Sequence, residues 1–321
     1  MATKGNMIYR SLGRCGTKVS ALSLGGWTTF GGSLSDPSLA RSIIRAAFDA
    51  GINFFDIADI YAGGEAERLM GQVLRELPRH ELVISSKVFW PMSEDINDRG
   101  LSRKHIMESI DKSLKRIGVD YLDLYFCHRF DPETPVEETA RAMDDLVRAG
   151  KVLYWGTSEW TGNQLRDLAT WCDRRGHTPP QVEQPQYNLL TRQKFENDVA
   201  PAAQHLGMGT VVWSPLASGV LSGKYDQGIP AGSRLDRIEW LRDGLLVDEK
   251  IAKVRRFRDL AERYGSSRSR LSIAWAMGHP AVSSVILGAT NVEQLQENLS
   301  ALSTECTSEL RDELEALFTS F

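Results

Sequence analysis

A short, largely apolar run followed by a helical pattern recurs eight times along this 321-residue chain, and few folds accommodate that alternation. The runs are Ala21–Gly25, Gly51–Phe55, Leu82–Ser86, Tyr121–Cys127, Val152–Gly156, Gln181–Gln184, Thr210–Trp213 and Ser284–Leu287. Runs this short and this apolar suit strands buried on both faces of a parallel sheet. Between them lie helical signals. Asp36 and Pro37 mark a start, and Leu39, Ile43, Ile44, Ala47 and Phe48 give an apolar stripe at helical spacing. Further helices are expected around Glu65–Glu76, from Ser102 with Ile106, Ile110, Leu114 and Ile117 inward, around Val136–Ala149 with Gly150 as the stop, from about Thr161, and around Gln193–His205. A long connection from Pro215 to about Asp243 precedes helices reaching Gly278, and another helix begins near Val292. Ile8–Arg10 and Lys18–Ser20 predict a hairpin before the first unit, and Ser308–Leu317 a terminal helix after the last. Eight units predict a closed (β/α)8 TIM barrel, an α/β fold in one domain spanning residues 1–321. An open doubly wound sheet fits less well, because no Gly-x-Gly-x-x-Gly turn follows the first strand.

Composition narrows the partners. The formal net charge is −4, and the densest basic cluster, Lys253 to Arg258, lies on an expected helix and reads as a solvated face. Nucleic acid is disfavoured. Residues Met1–Met7 have no apolar core, and no run reaches the length of a membrane span, so direct membrane insertion is not expected. Cys15, Cys127, Cys172 and Cys306 are scattered, as for reduced thiols in a cytoplasm.

In such a barrel the chemistry gathers at the carboxyl ends of the strands. Read in order, those ends are Trp27, Asp56 with Tyr61, Lys87, His128, Ser158, Gln184, Ser214 and Gly288. Singly, each has a plainer use: a strand-end Asp caps a helix, Asp59 competes with Asp56, Lys87 is a surface residue, and His128 pairs with a nearby carboxylate. Together, Asp56, Tyr61, Lys87 and His128 form a proton donor. A lysine near a phenol favours its ionised form, an aspartate holds the lysine charged, and a histidine orients a substrate oxygen. The set has no nucleophile–base pair and is a poor metal site, so no metal is expected. It suits an alkoxide, hence hydride addition to a carbonyl, with the hydride from a cofactor.

The last third resembles an anion site. Trp213–Gly219 is followed by Gly223, Lys224, Ser233 and Arg234, in which small residues admit phosphates and cations supply charge. It is no Walker loop, since Tyr225 stands where Ser or Thr is required. Leu287–Thr290 leads into a helix carrying Gln294, Glu297 and Asn298.

These residues resemble the aldo-keto reductase family over nearly the whole chain, and most of all the branch holding the β subunits of voltage-gated potassium channels and their bacterial relatives. Tyr9–Gly13, Trp27–Gly32, Gly100–His105, Tyr154–Ser158, Trp213–Gly219, Ser222–Tyr225 and Leu287–Thr290 carry the likeness. The resemblance implies a (β/α)8 barrel that binds NADPH/NADP+ and reduces aldehydes or ketones. It implies Tyr61 as general acid, tuned by Lys87, with Asp56 paired to Lys87 and His128 positioning the carbonyl oxygen. Cofactor contacts are implied at Trp27, Ser158, Gln184, Trp213, Ser214, Pro215, Leu216, Ser218, Lys224 and Gly288, with Arg234, Thr290 and Gln294 on the 2′-phosphate and Glu297 and Asn298 on the adenine. Trp27, Phe89, Trp90 and Trp160 are implied to line the substrate pocket. The channel subunits carry asparagine where this chain has His128, and histidine is the form associated with reduction. Glu159 stands where many members have asparagine, and Thr290 where close relatives have serine. The alternative the resemblance offers is a cofactor-sensing regulatory subunit of a potassium channel. A homo-oligomer, tetramer or octamer, is also implied.

Overall fold

The computed structural model describes residues 6–319; the opening residues 1–5 and the last two lie outside the described part. Two short strands, β1 (Tyr9–Ser11) and β2 (Lys18–Ser20), pair antiparallel with Arg10 opposite Val19. The barrel strands follow: β3 (Leu22–Gly25), β4 (Phe54–Asp56), β5 (Val83–Val88), β6 (Leu122–Cys127), β7 (Val152–Ser158), β8 (Val182–Gln184), β9 (Gly209–Val212) and β10 (Val282–Leu287). They close in the order β10-β3-β4-β5-β6-β7-β8-β9, every neighbouring pair parallel.

Helices wrap this barrel: α1 (Pro37–Asp49), α2 (Glu65–Leu74), α3 (Arg103–Ile117), α4 (Val136–Arg148), α5 (Gly162–Arg175) and α6 (Ala200–Leu206). Then come α7 (Arg234–Arg237), α8 (Glu239–Leu245), α9 (Asp248–Arg263), α10 (Arg268–Met277), α11 (Val292–Leu299) and α12 (Ser308–Phe318). Local chemistry explains the starts. Asp36 accepts from the Ser38 amide before Pro37, Ser102 accepts from the His105 amide, and Thr161 and Gln164 close a capping box. The buried face of α1 differs by one place from the expected stripe. Ala40, Ile43, Ile44 and Ala47 are buried, whereas Leu39 is exposed on the flank. The stretch expected as a plain connection after Pro215 is partly helical: Ala217–Ser222 winds a tight turn, and α7 and α8 lie within it.

The hydrophobic mass falls into two shells, as alternation along buried strands demands. Phe54, Val83, Leu124, Phe126, Val182, Val211 and Ile286 fill the barrel interior, and their neighbours Phe55, Ile84 and Tyr125 pack outward under the helices. Leu12 and Val19 of the hairpin join the interior group and stopper the barrel's amino end. Gly13 lies at φ 58°, and a Cβ there would stand 2.4 Å from the Gly207 carbonyl, so only glycine lets the hairpin seat this closely.

Candidate active site

The same two-residue period that fills the barrel also loads its carboxyl end. Counting inward positions from Phe54, Val83, Leu124, Tyr154, Val182, Val211 and Ile286 gives Asp56, Ser85 and Lys87, His128, Ser158, Gln184, Trp213 and Gly288. Lys87 and Ser158 lie inside β5 and β7, because those strands run on past the expected apolar runs.

Lys87 is fully buried, and its Nζ donates to Asp56 Oδ2 at 2.7 Å, to the Ile57 carbonyl at 2.7 Å and to the Tyr61 hydroxyl at 3.0 Å. The other Asp56 oxygen accepts from Ser85 Oγ at 2.8 Å and Gln184 Nε2 at 2.9 Å. Tyr61 opens a tight turn in which Ala62, Gly63 and Gly64 all take left-handed backbone. A Cβ on Gly64 would meet Arg116 Cδ at 2.8 Å, so the glycine lets this turn sit against α3. The His128 ring stands edge-on to Tyr61 with centroids 5.8 Å apart.

Burial raises the Tyr61 phenol above its ordinary pKa, with Lys87 pulling the other way. The phenol is therefore protonated at neutral pH and able to donate. Burial also works against the Lys87 ammonium, but Asp56 and Tyr61 outweigh it and raise its pKa. Burial, Lys87 and Arg129 hold His128 well below the usual imidazole range, so it is neutral. Its Nδ1 is buried without a partner among the described residues. Asp59 sits behind the set rather than in it: burial and Glu67 push its carboxyl up to about 8.

Above these groups opens a cavity of about 1190 Å³. Asp56, Tyr61, His128, Ser158 and Gln184 line it, as do Trp27 and Trp90, and Lys87 lies beneath. The lining continues through Trp213, Ser214, Pro215, Leu216, Ser218, Lys224 and Arg234 to Gly288, Thr290, Gln294, Glu297 and Asn298. Two aromatic residues expected at the substrate end are not in the lining. Trp160 is buried against Phe130, ring centroids 4.9 Å apart, and Phe89 stands behind Trp90 at 5.1 Å. Arg129, Arg237 and Trp240 line it without having been anticipated. Arg237 is foreshadowed only by its place one turn after Arg234, and Arg129 only by adjacency to His128.

The far part of the cavity is built differently. Ser214, Ala217 and Ser218 have positive φ, as does Gly219 at 95°. A Cβ on Gly219 would stand 2.6 Å from Lys224 Cε, which presses the lysine onto the turn. Lys224, Arg234 and Arg237 have no carboxylate partner among the described residues; Arg234 rests over Trp27, its guanidinium carbon 5.9 Å from the ring centroid. Thr290 donates to Gln294 Oε1, and Asn291 caps α11. Turned-in backbone and unpaired cations in a long cavity suit an extended, phosphate-bearing ligand. Glu159, at φ 62°, ties this part together: its carboxylate accepts from the Trp213 indole at 3.0 Å, from the Gln186 amide at 2.6 Å and from Lys194.

A family model described as "Aldo/keto reductase family" matches residues 21–318. The chain belongs to the aldo/keto reductase family. This aldo/keto reductase is also similar to curated proteins named for another role. It is 46% identical to a "Probable voltage-gated potassium channel subunit beta" of Oryza sativa subsp. japonica, covering 98% of this chain and 97% of that protein. The protein of the same name from Arabidopsis thaliana is 47% identical over 92% of this chain and 91% of its own length. A "Putative voltage-gated potassium channel subunit beta" of Schizosaccharomyces pombe is 44% identical over 92% and 88%. No helix among the described residues of this reductase-family chain is long and apolar enough to cross a membrane.

Proposed function

We propose that this aldo/keto reductase is an NADPH-dependent oxidoreductase that reduces aldehydes or ketones to alcohols. The observation that supports it is the buried Lys87 ammonium held between the Asp56 carboxylate and the Tyr61 hydroxyl at the floor of a large cavity. NADPH, when bound, supplies the hydride. Tyr61 gives its proton to the carbonyl oxygen as that oxygen gains charge, and the product is an alcohol. Lys87 stabilises the tyrosinate left behind, and Asp56 keeps Lys87 charged and aimed. Neutral His128 fixes the carbonyl oxygen beside Tyr61. The roles of Ser158 and Gln184 at the nicotinamide carboxamide, and of Arg234, Thr290 and Gln294 at the 2′-phosphate, belong to the same proposal. The unpaired Lys224, Arg234 and Arg237 and the left-handed turn at Ser214–Gly219 support the phosphate end.

Tyr61→Phe is the direct test. Reduction of an aldehyde is expected to fall by about 10²–10⁴-fold. NADPH binding, followed by quenching of Trp27 and Trp213 fluorescence, should persist. Turnover at the wild-type rate would remove Tyr61 from the mechanism.

The names of the relatives favour a second reading, a β subunit of a voltage-gated potassium channel; on that reading the chain would regulate the channel by sensing NADPH rather than by turning it over. Tight NADPH binding with no reduction of any aldehyde, together with a stable complex with a purified channel, would decide for it.

A further inference from the structure

Arg129 enters the chemistry above only as one of the charges that keep His128 neutral, yet it borders the cavity beside Tyr61, His128, Trp90 and Ser158. It lies two residues past the end of β6. Its Nη1 donates to the His128 carbonyl at 2.5 Å and stands 3.5 Å from Ser158 Oγ. Its guanidinium carbon is 5.7 Å from the centroid of the Trp90 ring. A guanidinium has five N–H donors. Among the described residues Nε and Nη2 have no acceptor, and no carboxylate lies within ion-pair distance. Three other sheltered arginines of this protein are paired with acids, Arg79 with Asp123, Arg116 with Glu67 and Arg268 with Asp226, whereas Arg10 spends its donors on the Met277 and Val282 carbonyls.

Arg129 is also separate from the phosphate-side cations. Lys224, Arg234 and Arg237 follow β9, the neighbour of β10. In the ring β10-β3-β4-β5-β6-β7-β8-β9, β6 lies three places from β9 and opposite its neighbour β10 across the barrel axis. A sheltered cation with free donors therefore stands on the side of the cavity where Tyr61 and His128 address a carbonyl, flanked by an indole.

We propose that Arg129 makes the cavity select aldehydes and ketones that carry a carboxylate, the guanidinium holding the anion while Tyr61 and His128 address the carbonyl oxygen. The proposal rests on the reductase reading for its substrate class. Two of the free donors point to the bidentate pairing that guanidinium makes with a carboxylate. The Trp90 and Trp27 rings give the carbon skeleton between carbonyl and carboxylate an apolar, aromatic surround.

The test uses a pair of probes that differ in one charge and one methyl group, 4-carboxybenzaldehyde and its methyl ester, with the full chain and saturating NADPH, and reads the wild-type ratio against that of the Arg129 variants so that the intrinsic reactivity of the two aldehydes cancels. The wild-type ratio of kcat/KM, acid over ester, is expected to be roughly tenfold or more, the scale of a hydrogen bond to a charged group. Arg129→Met should bring the ratio close to one, and Arg129→Lys should retain part of it. Arg129→Gln replaces the methionine variant if that one does not fold. A wild-type ratio near one, or a ratio unchanged in the neutral variant, overturns the proposal. A binding arm separates this from failure of the reductase reading. Dissociation constants for 4-(hydroxymethyl)benzoate and its methyl ester, read by tryptophan quenching, should show the same preference and the same loss. If no aldehyde is turned over but that charge preference exists and is lost in Arg129→Met, the anion site stands and the reductase reading falls. Equal binding of acid and ester overturns the anion site itself.

Discussion

The two ends of the cavity treat charge in opposite ways. At the floor, the Lys87–Asp56 pair is satisfied before any ligand arrives: Lys87 has three acceptors and Asp56 three donors, all within 3.0 Å. On the side that follows β9, Lys224, Arg234 and Arg237 have no acid partner among the described residues. The reason is solvation. Lys87 is fully buried, and a buried ammonium without a partner is too costly to keep. Of the cations after β9, Lys224 and Arg237 are exposed, where solvent screens them, and half-buried Arg234 has its pKa lowered by burial. The floor is thus paired in advance, and the far side keeps its donors free of acids; under the proposed function these would serve chemistry and cofactor capture respectively. Backbone strain shows a related division. All six non-glycine residues with positive φ among the described residues, Thr28, Ala62, Glu159, Ser214, Ala217 and Ser218, follow the carboxyl ends of barrel strands, and three of them belong to the turn at Ser214–Gly219.

The hardest way to break this contrast is Lys87→Met. It leaves Asp56 buried with two neutral donors and no cation. Unfolding free energy in urea is expected to fall by about 3–5 kcal/mol, and aldehyde reduction by about 10³-fold or more. Adding Asp56→Asn to Lys87→Met should restore most of the stability and none of the turnover. A loss below about 1 kcal/mol for Lys87→Met would mean that the floor is not held by its ion pair.

Arg234→Met sharpens the other side. Affinity for NADPH is expected to drop about 10–100-fold, as when a hydrogen bond to a charged group is lost, with a much smaller change for NADH. Stability should move by only about 0.5 kcal/mol, since no partner is orphaned. Equal losses for the two nucleotides would place Arg234 somewhere other than on a 2′-phosphate. A loss of stability comparable to that of Lys87→Met would erase the distinction between the two ends.

How far the sequence shows this site follows from the same physics. Apolar runs reveal strands, and alternation then carries Asp56, Lys87, His128, Ser158, Gln184 and Gly288 to the inner face. The runs understate β5 and β7 because polar residues at strand ends interrupt the pattern just where the site begins. Trp160, implied at the substrate pocket by the family resemblance, is absent from the lining for a structural reason. It lies two residues after inward Ser158, but Glu159 between them adopts φ 62°, the alternation breaks, and Trp160 turns into the core against Phe130. Leu39 loses its place on α1 because the buried stripe is centred on Ala40, a residue too small to advertise itself. Helices α7 and α8 are too short for a periodic signal, so the connection after Pro215 reads as featureless. Arg129 gives no pattern at all. A single cation after a strand acquires meaning only when its missing acid partner is seen in three dimensions.

The smallest effect concerns Glu183, on the buried outer face of β8 one residue before Gln184. Burial raises its carboxyl from 4.5 to about 8, with Thr157 Oγ1 and the Trp160 amide as its hydrogen-bond partners. A carboxyl whose pKa is raised on folding binds its proton more tightly in the native state. Its contribution to stability is complete below about 4.5 and is lost as the pH rises towards 8. Glutamine mimics the protonated acid and has no such titration. Glu183→Gln is therefore expected to gain on the wild type in urea unfolding as the pH is raised from 5 to 8, by about 1–3 kcal/mol across that range. The contrast with Asp56 makes the result informative. Both carboxyls are buried in adjoining layers of one barrel, but Asp56 has an ammonium and Glu183 has only a hydroxyl and an amide. A pH-independent difference between wild type and Glu183→Gln would show that Glu183 is ionised in the native state, and that pairing with a cation is not what separates the site floor from the rest of the core.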